Sequence, residues 1–285
     1  MNKNTSFSFE LFPPRVNEEL RNIDEILENL KDLNADFISV TFGAGGSKKS
    51  NFTLDIAQLI EQKYQTKSIV HLPCIHFSKE EIAKFLTHCK DRNLKNILAL
   101  RGDMSKDLKA SKDFSYASDL VEFIKQNGDF NIFGACYPET HNESKNCIED
   151  IHNLKIKVDK GADKLITQLF FDNNDFYNFK QNCALSGIKA PIYAGIMPIT
   201  NKRQILKITQ LCGAKLPPKF LKILEKYKHN DKALADAGIA YAVDQIVDLI
   251  TNGVDGIHLY IMNKAYVARR IYEATYSLFY DKIGA

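Results

Sequence analysis

Short strand-like runs return eight times along this chain, and that recurrence limits the fold more than any other feature. SFSFELF begins at Ser6, FISVTF at Phe37, SIVHLPCI at Ser68, NILALRG at Asn96, NIFGACYP at Asn131, KLITQLFF at Lys164, PIYAGIMP at Pro191 and GIHLYIM at Gly256. Most intervals between them carry apolar residues at helical spacing, as Leu20, Ile23, Ile26, Leu27 and Leu30 do between Glu18 and Leu33. Alternating strand and helix predicts a parallel sheet, because parallel neighbours need a crossover connection. Eight such units with no Gly/Ser-rich linker or shift of composition favour one closed (β/α)8 TIM barrel over two doubly wound halves. The 285 residues, 45% of them hydrophobic, suit one such catalytic domain over 1–285. The longest interval, between strands seven and eight, contains LPPKFLKILEKYKHNDKALADAGIAYAVDQIVDLITNG, which reads as two additional helices at the barrel rim. Pro217 and Pro218 fit the start of the first, and Gly253 fits the end of the second.

Charge excludes one broad class of partner. A net charge of +3 spread over 38 basic and 35 acidic residues gives no polyanion-binding stripe, so nucleic acid is not expected. MNKNTSFSFELFPPR leads directly into an alternating strand without the apolar run of a signal peptide. Nowhere do about eighteen apolar residues occur in succession, so no membrane partner is expected and the chain reads as cytoplasmic. The six cysteines are scattered without a C-x-x-C pair and read as reduced core thiols.

Residues two apart in a strand share a face, and in a barrel one face meets helices while the other meets the lumen. Strand one separates cleanly. Phe7, Phe9 and Leu11 form the helix-facing side, so Ser6, Ser8 and Glu10 point inward, with Glu10 just before Phe12 and the strand-ending Pro13-Pro14. The same test sets Ser39 and Thr41 opposite Ile38, Val40 and Phe42, groups Ala99, Arg101 and Asp103, and puts Gln168 beside Ile166 and Phe170. Other late positions are also polar: His71, His76, Tyr137, Glu139, His141, Tyr260 and Asn263. Tyr137, Tyr260 and His258 read equally well as satisfied packing groups.

Burying a carboxyl costs several kcal/mol, roughly, unless it is partnered or neutralised, and a barrel needs none for stability. Function explains Glu10 better, since barrel enzymes place their sites at this rim. Desolvation favours the neutral carboxyl, which suits a general acid. Asp103, grouped with Arg101, is expected to stay ionised beside that cation, and two carboxyls in different environments imply two roles.

Several common chemistries fail on the residues. No H-x-H pair ends strand one, and the spacing of five between His71 and His76 puts them on opposite faces of a regular strand, so no metal is expected. Lys164 begins its strand, the wrong end of a barrel for a Schiff base. No G-x-S-x-G, Walker loop or G-x-G-x-x-G follows a strand. The GAGGS loop from Gly43 suits either close approach of backbone amides to a ligand or a tight turn.

The blocks FSFELFPPR, ISVTFGAGGS, HLPCI, ALRGD, YASDLV, CYPETH, NLKIKVDKGADKLITQLFFD and GIMPITN, in this order, resemble the methylenetetrahydrofolate reductase family over nearly the whole chain. The resemblance implies a barrel holding non-covalent FAD, reduced by NADH or NADPH and reoxidised by 5,10-methylenetetrahydrofolate in ping-pong fashion. It also implies a 5-methyltetrahydrofolate product that feeds methionine synthesis, and a homo-oligomer. In that family the glutamate of F-E-x-F-P-P, here Glu10, is the general acid that protonates a folate nitrogen as the five-membered ring opens. The aspartate of L-R-G-D, here Asp103, lies near flavin and pterin, where its charge favours the cationic iminium. Gln168 carries over as a folate-orienting residue, with Gln204 beside it on the substrate side. Thr41, His71, Arg101, Gly102, Ala117, Tyr137, His141, Asp150, Asn153 and Lys157 fall on blocks that hold FAD, with Arg101 or Lys157 matched to its pyrophosphate.

Two positions depart from the family's bacterial pattern. Lys264 stands where an arginine meets the folate glutamyl tail, keeping the charge and losing the bidentate fork. Ile208 stands where those members place an aromatic, removing a stacking surface. Two rival readings use the same barrel without a flavin: a pterin-binding methyltransferase, and a non-catalytic ligand-binding barrel.

Overall fold

The computed structural model describes residues 5–14, 20–42, 50–104 and 110–280. The GAGGS loop lies outside them. Eight strands are present, β1 (Ser6–Leu11), β2 (Phe37–Val40), β3 (Lys67–Pro73), β4 (Asn96–Leu100), β5 (Asn131–Cys136), β6 (Lys164–Thr167), β7 (Ile192–Ile196) and β8 (Gly256–Leu259). They pair in parallel and in sequence order, and β1 closes the barrel against β8 through Ser8 opposite His258. On its other edge β1 sets Glu10 opposite Ser39.

Helices alternate with the strands: α1 (Leu20–Glu28), α2 (Ser50–Lys63), α3 (Lys79–Asp91), α4 (Ala117–Asn127), α5 (Cys147–Asp159) and α6 (Asn173–Leu185). Between β7 and β8 come α7 (Lys202–Cys212), α8 (Pro218–Lys226) and α9 (Asp231–Thr251), and α10 (Ala265–Thr275) follows β8. Local chemistry starts these helices. Asn146, Asp172, Asn201 and Asn230 each accept a backbone N–H in the first turn of α5, α6, α7 and α9, and Ser78 with Glu81 forms a full capping box on α3. The two helices expected after Pro217 are α8 and α9, the first beginning at Pro218 and the second ending just before Gly253.

Among the described residues three apolar clusters fix the architecture. Phe7, Phe9 and Leu11 join the layer between barrel and helices, as their alternation predicted. Phe37, Ile69, Leu98, Phe133, Ile166 and Tyr193 plug the lumen. A third cluster ties the rim helices down: Ile205, Phe220, Leu224 and Leu234 pack on Leu169, Phe171, Met197 and Ile199. Each such side chain, when fully buried, contributes about 1.5–3 kcal/mol. The elaboration between β7 and β8 is therefore part of the rim's packing.

Two face assignments are corrected. On β4 the lumen receives Leu98, with Leu100 packed against that plug, while Ala99 joins the outer layer. Arg101 therefore does not share a lumen face with Asp103. The strand ends at Leu100, and Gly102, at φ +85°, turns the chain before Asp103. Phe170 likewise belongs to the outer layer, stacked on Phe176, because β6 ends at Thr167. The thiols are free, four of them buried, but Cys147 is exposed and Cys212 partly so, which corrects the expectation that all pack in the core. Lys164 begins β6, over the ring of Phe133 and away from the rim. Among the described residues no helix is long and apolar enough to cross a membrane.

Candidate active site

Two adjoining chambers open at the C-terminal ends of the strands. The chamber over the lumen, about 470 Å³, is walled by Glu10, Thr41, His71, Gln168, His258 and Tyr260 among polar residues, and by Leu98, Leu100, Ile166, Leu169, Met197 and Ile208 among apolar ones. The outer chamber, about 670 Å³, lies between β4, β5 and the helices that follow them. Leu100, Asp103, Ala135 and Tyr137 belong to both walls. Chambers of this size accommodate a cofactor or a small substrate.

Glu10 is the last inward-facing residue of β1 and is 7% exposed. Beyond it the strand is clamped: Phe12 N–H donates to Asn263 Oδ1 at 2.8 Å, and Asn263 Nδ2 donates to the Phe12 carbonyl at 2.9 Å. Burial pushes the Glu10 carboxyl up to about 8 and the facing His71 imidazole down to about 3. Both are therefore neutral near pH 7. Buried His71 Nε2 has no hydrogen-bond partner among the described residues, a polar atom that a ligand in this chamber would satisfy. Deeper in the lumen, His258 Nδ1 lies 2.8 Å from Ser8 Oγ and Nε2 3.2 Å from Ser39 Oγ, while its ring stacks on Phe37. These contacts satisfy His258 as a packed core group.

The outer chamber is built mainly by one helix face and one loop. Asp150, Asn153 and Lys157 of α5 are spaced three and four apart and line it together, while Ile151 and Leu154 bury the neighbouring stripe. Lys157 runs past Gly134, where a Cβ would come within 2.9 Å of its Cδ, and its Nζ donates to the Ala135 carbonyl at 2.6 Å. Burial lowers the pKa of this lysine. Asp150 organises the loop after β5, accepting from the His141 N–H at 3.1 Å and the Ser144 hydroxyl at 2.9 Å. Tyr137 and His141 meet edge to face at 4.5 Å. Ala117 lines this chamber from the start of α4, and Gly102 from the turn after β4. A Cβ on Gly102 would meet Pro73 Cβ at 2.9 Å, so the turn requires glycine on two counts.

Of the candidate residues, Gln204 and Lys264 line neither chamber. Gln204 sits in the first turn of α7, its N–H donating to Asn201 Oδ1, and Lys264 Nζ donates to Thr200 Oγ1 at 2.7 Å. Arg101 and Asp103 both line the outer chamber and the Asp103 charge still acts on the guanidinium, but the hydrogen-bonded partner of Arg101 is Glu143, in a bidentate pair. Sequence reasoning missed Glu143, which sits in an irregular loop where no periodicity marks a face. It also missed Lys160, whose spacing from Asn153 and Lys157 follows the same helical stripe. Among the described residues no group of three or more His, Cys, Asp or Glu side chains is arranged to hold a metal ion.

A closed parallel barrel with a neutral buried acid at the C-terminal mouth, beside a second polar chamber, defines a (β/α)8-barrel enzyme. A family model described as methylenetetrahydrofolate reductase matches residues 1–276. The chain belongs to the methylenetetrahydrofolate reductase family. It is 36% identical over 274 residues to a probable methylenetetrahydrofolate reductase (NADH) of Oryza sativa subsp. japonica, covering 91% of this chain but 46% of that protein. It is 33% identical over 258 residues to the 5,10-methylenetetrahydrofolate reductase of Escherichia coli (strain K12), covering 90% of this chain and 86% of that one. The chain thus spans about half the length of the plant relative and most of the bacterial one. A solved structure from Clostridium thermocellum, of an uncharacterised protein that binds two copies of 5-methyl-5,6,7,8-tetrahydrofolic acid, shares the fold at a TM-score of 0.68 and 13% identity. That match covers 97% of this chain and 96% of the other.

Proposed function

We propose that residues 1–285 act as one catalytic unit that reduces 5,10-methylenetetrahydrofolate to 5-methyltetrahydrofolate with NAD(P)H, using non-covalently bound FAD. The observation that carries this reading is Glu10, a buried neutral carboxyl on the wall of a chamber that shares Asp103 with its neighbour. The residues fit the cofactor: two joined chambers suit a ring system continuing into a charged tail, and His71 Nε2 is a buried polar atom without a partner. Thr41 and His71 would hold the ring end. Arg101, Gly102, Ala117, Tyr137, His141, Asp150, Asn153 and Lys157 would hold the remainder.

When bound, FAD supplies hydride transfer between nicotinamide and folate. The chain's own residues supply the proton and the setting. Glu10 holds its proton at neutral pH and gives it to a folate nitrogen as the ring opens. Asp103 sets a negative charge beside the cation that develops on the substrate. Gln168 lines the same chamber and orients the pterin, while Leu98, Leu100, Ile166 and Met197 keep water from the reacting atoms.

Purified protein tests the reading directly. A yellow protein with a flavin spectrum, bleached anaerobically by NADH or NADPH and recoloured by 5,10-methylenetetrahydrofolate, is the expected result. A colourless protein that takes up no added FAD overturns it and returns the methyltransferase or ligand-binding reading.

A further inference from the structure

We propose that Glu143 is an internal competitor for the cofactor's diphosphate: its carboxylate fills the guanidinium fork of Arg101 and must leave before a diphosphate can take that fork. This inference rests on the flavin reading above and adds what controls how tightly the cofactor is held.

Among the described residues three cations line the outer chamber, and each is already engaged. Lys160 pairs with Asp119 at 3.3 Å and Glu122 at 2.9 Å. Lys157 donates to the Ala135 carbonyl at 2.6 Å. Arg101 gives both terminal nitrogens to Glu143, Nη2 to Oε1 at 2.6 Å. Against these three stand five carboxylates on the same wall: Asp103, Asp119, Glu143, Glu149 and Asp150. Among the described residues the lining thus carries two more negative than positive groups, a poor field for a dianion.

Among the described residues, a diphosphate can find a cation only where one of these arrangements yields, and they differ in how easily they do so. Asp150 holds the loop through the His141 amide and the Ser144 hydroxyl, and Asp119 accepts from the amides of Ser115 and Tyr116. Releasing either would leave backbone donors without partners. Glu143 lies in the segment between β5 and α5 with its side chain 58% exposed, so its carboxylate can turn to water without breaking a strand or helix. Its partner Arg101 is 24% exposed and already faces the chamber. The pair holds the guanidinium charged, raising the Arg101 pKa, and holds Glu143 ionised, lowering its pKa. The fork is therefore kept charged and oriented for an anion. A diphosphate offers it the same bidentate geometry with more charge.

An exposed ion pair corresponds to a factor of up to about five in an equilibrium constant. Flavin-free protein titrated with FAD, read by quenching of flavin fluorescence, measures the effect without turnover. Glu143→Gln is expected to bind FAD roughly three to five times more tightly than the unsubstituted protein, and to lose it more slowly on dilution. Arg101→Gln is expected to bind more weakly, and adding Glu143→Gln to Arg101→Gln should then change nothing. A Glu143→Gln protein that binds FAD equally well or more weakly overturns the inference. So does equal tightening in the Arg101→Gln background, which would reduce Glu143 to a diffuse repulsive charge. If neither the unsubstituted protein nor any variant binds FAD, the flavin reading itself falls and takes this inference with it.

Discussion

His71 and Glu10 face each other at the mouth of the barrel with Nε2 and Oε2 3.5 Å apart, and burial holds both neutral instead of letting them form an ion pair. Desolvation moves the acid up and the base down, so no proton passes between them near neutral pH. The separation is too long for a good hydrogen bond. The carboxyl therefore keeps a proton that no neighbour at this distance has taken, which is what a general acid waiting for its substrate requires.

Glu10→Gln removes the proton while leaving the shape of the chamber. Because nicotinamide delivers only hydride, anaerobic bleaching by NADH should stay within about threefold of the unsubstituted rate. Reoxidation by the folate should fall by about 10²- to 10⁴-fold, the usual contribution of a positioned acid. Stopped-flow measurement of each half-reaction checks this, and equal losses in both would remove Glu10 from its assigned role.

The same carboxyl sets two pH dependences. Folate-driven reoxidation should fall as pH rises through about 8, where Glu10 loses its proton, while nicotinamide-driven bleaching should show no such limb. Stability follows from linkage. The folded value of Glu10 lies above its ordinary value of 4.5, so its contribution is fully present below that value and is lost as pH rises toward 8. His71 and His258 work in the opposite direction: pushed down to about 3, they contribute above their ordinary value of 6.5, and that contribution is lost as pH falls toward 3. In urea titrations of flavin-free protein, Glu10→Gln should match the unsubstituted chain near pH 4. By pH 9 it should exceed it by a margin of the order of 2–4 kcal/mol. A constant difference across this range would mean that the folded carboxyl is not shifted.

The barrel and Glu10 were legible in the sequence because both depend on local rules. The pleat of one strand separates Phe7, Phe9 and Leu11 from Ser8 and Glu10, and prolines mark the start of α8. Legibility ended where regular structure ended. Alternation past Leu100 put Arg101 and Asp103 on one strand face, whereas the turn at Gly102 ends that face and the hydrogen-bonded partner of Arg101 is Glu143, 42 residues away. No local pattern announces such a pair. Gln204 and Lys264 were carried by resemblance alone, and their positions depend on how the rim helices pack, which is a tertiary matter.

Asp103 stands on the wall common to both chambers, and its backbone carbonyl is held by His76 Nε2 at 3.0 Å. Asp103→Asn keeps that backbone contact and the side chain's size but deletes the charge. Folate turnover should fall by about 10²-fold, in line with loss of one electrostatic group at a reacting centre. The protein should remain yellow with its flavin-to-protein ratio unchanged. Recovery of colourless Asp103→Asn protein would instead make Asp103 an anchor of the cofactor.

Gly195 lets β7 carry the wall of the lumen chamber past β6 and β8 at closer range than any side chain permits. Its N–H donates to Thr167 Oγ1 at 2.8 Å, while the Tyr260 hydroxyl donates to the Thr167 carbonyl at 2.6 Å. A Cβ at Gly195 would lie 2.3 Å from that carbonyl oxygen and 2.7 Å from the Tyr260 ring. The shorter contact is with backbone, which moving Tyr260 cannot relieve, so β6 and β7 must spread, and Tyr260, bonded to that same carbonyl, must move with them. Gly195→Ala should therefore destabilise the fold by roughly 3 kcal/mol or more, the top of the usual overpacking range or beyond it, because the clash is with backbone. It should also displace Tyr260 from the chamber wall that holds Glu10. Tyr260→Phe separates the two effects, because it removes the hydroxyl and its hydrogen bond but adds no bulk, and it should lose about 1 kcal/mol. If Gly195→Ala melted no lower than Tyr260→Phe, the strands would be looser here than their contacts imply, and the chamber would not owe its shape to this glycine.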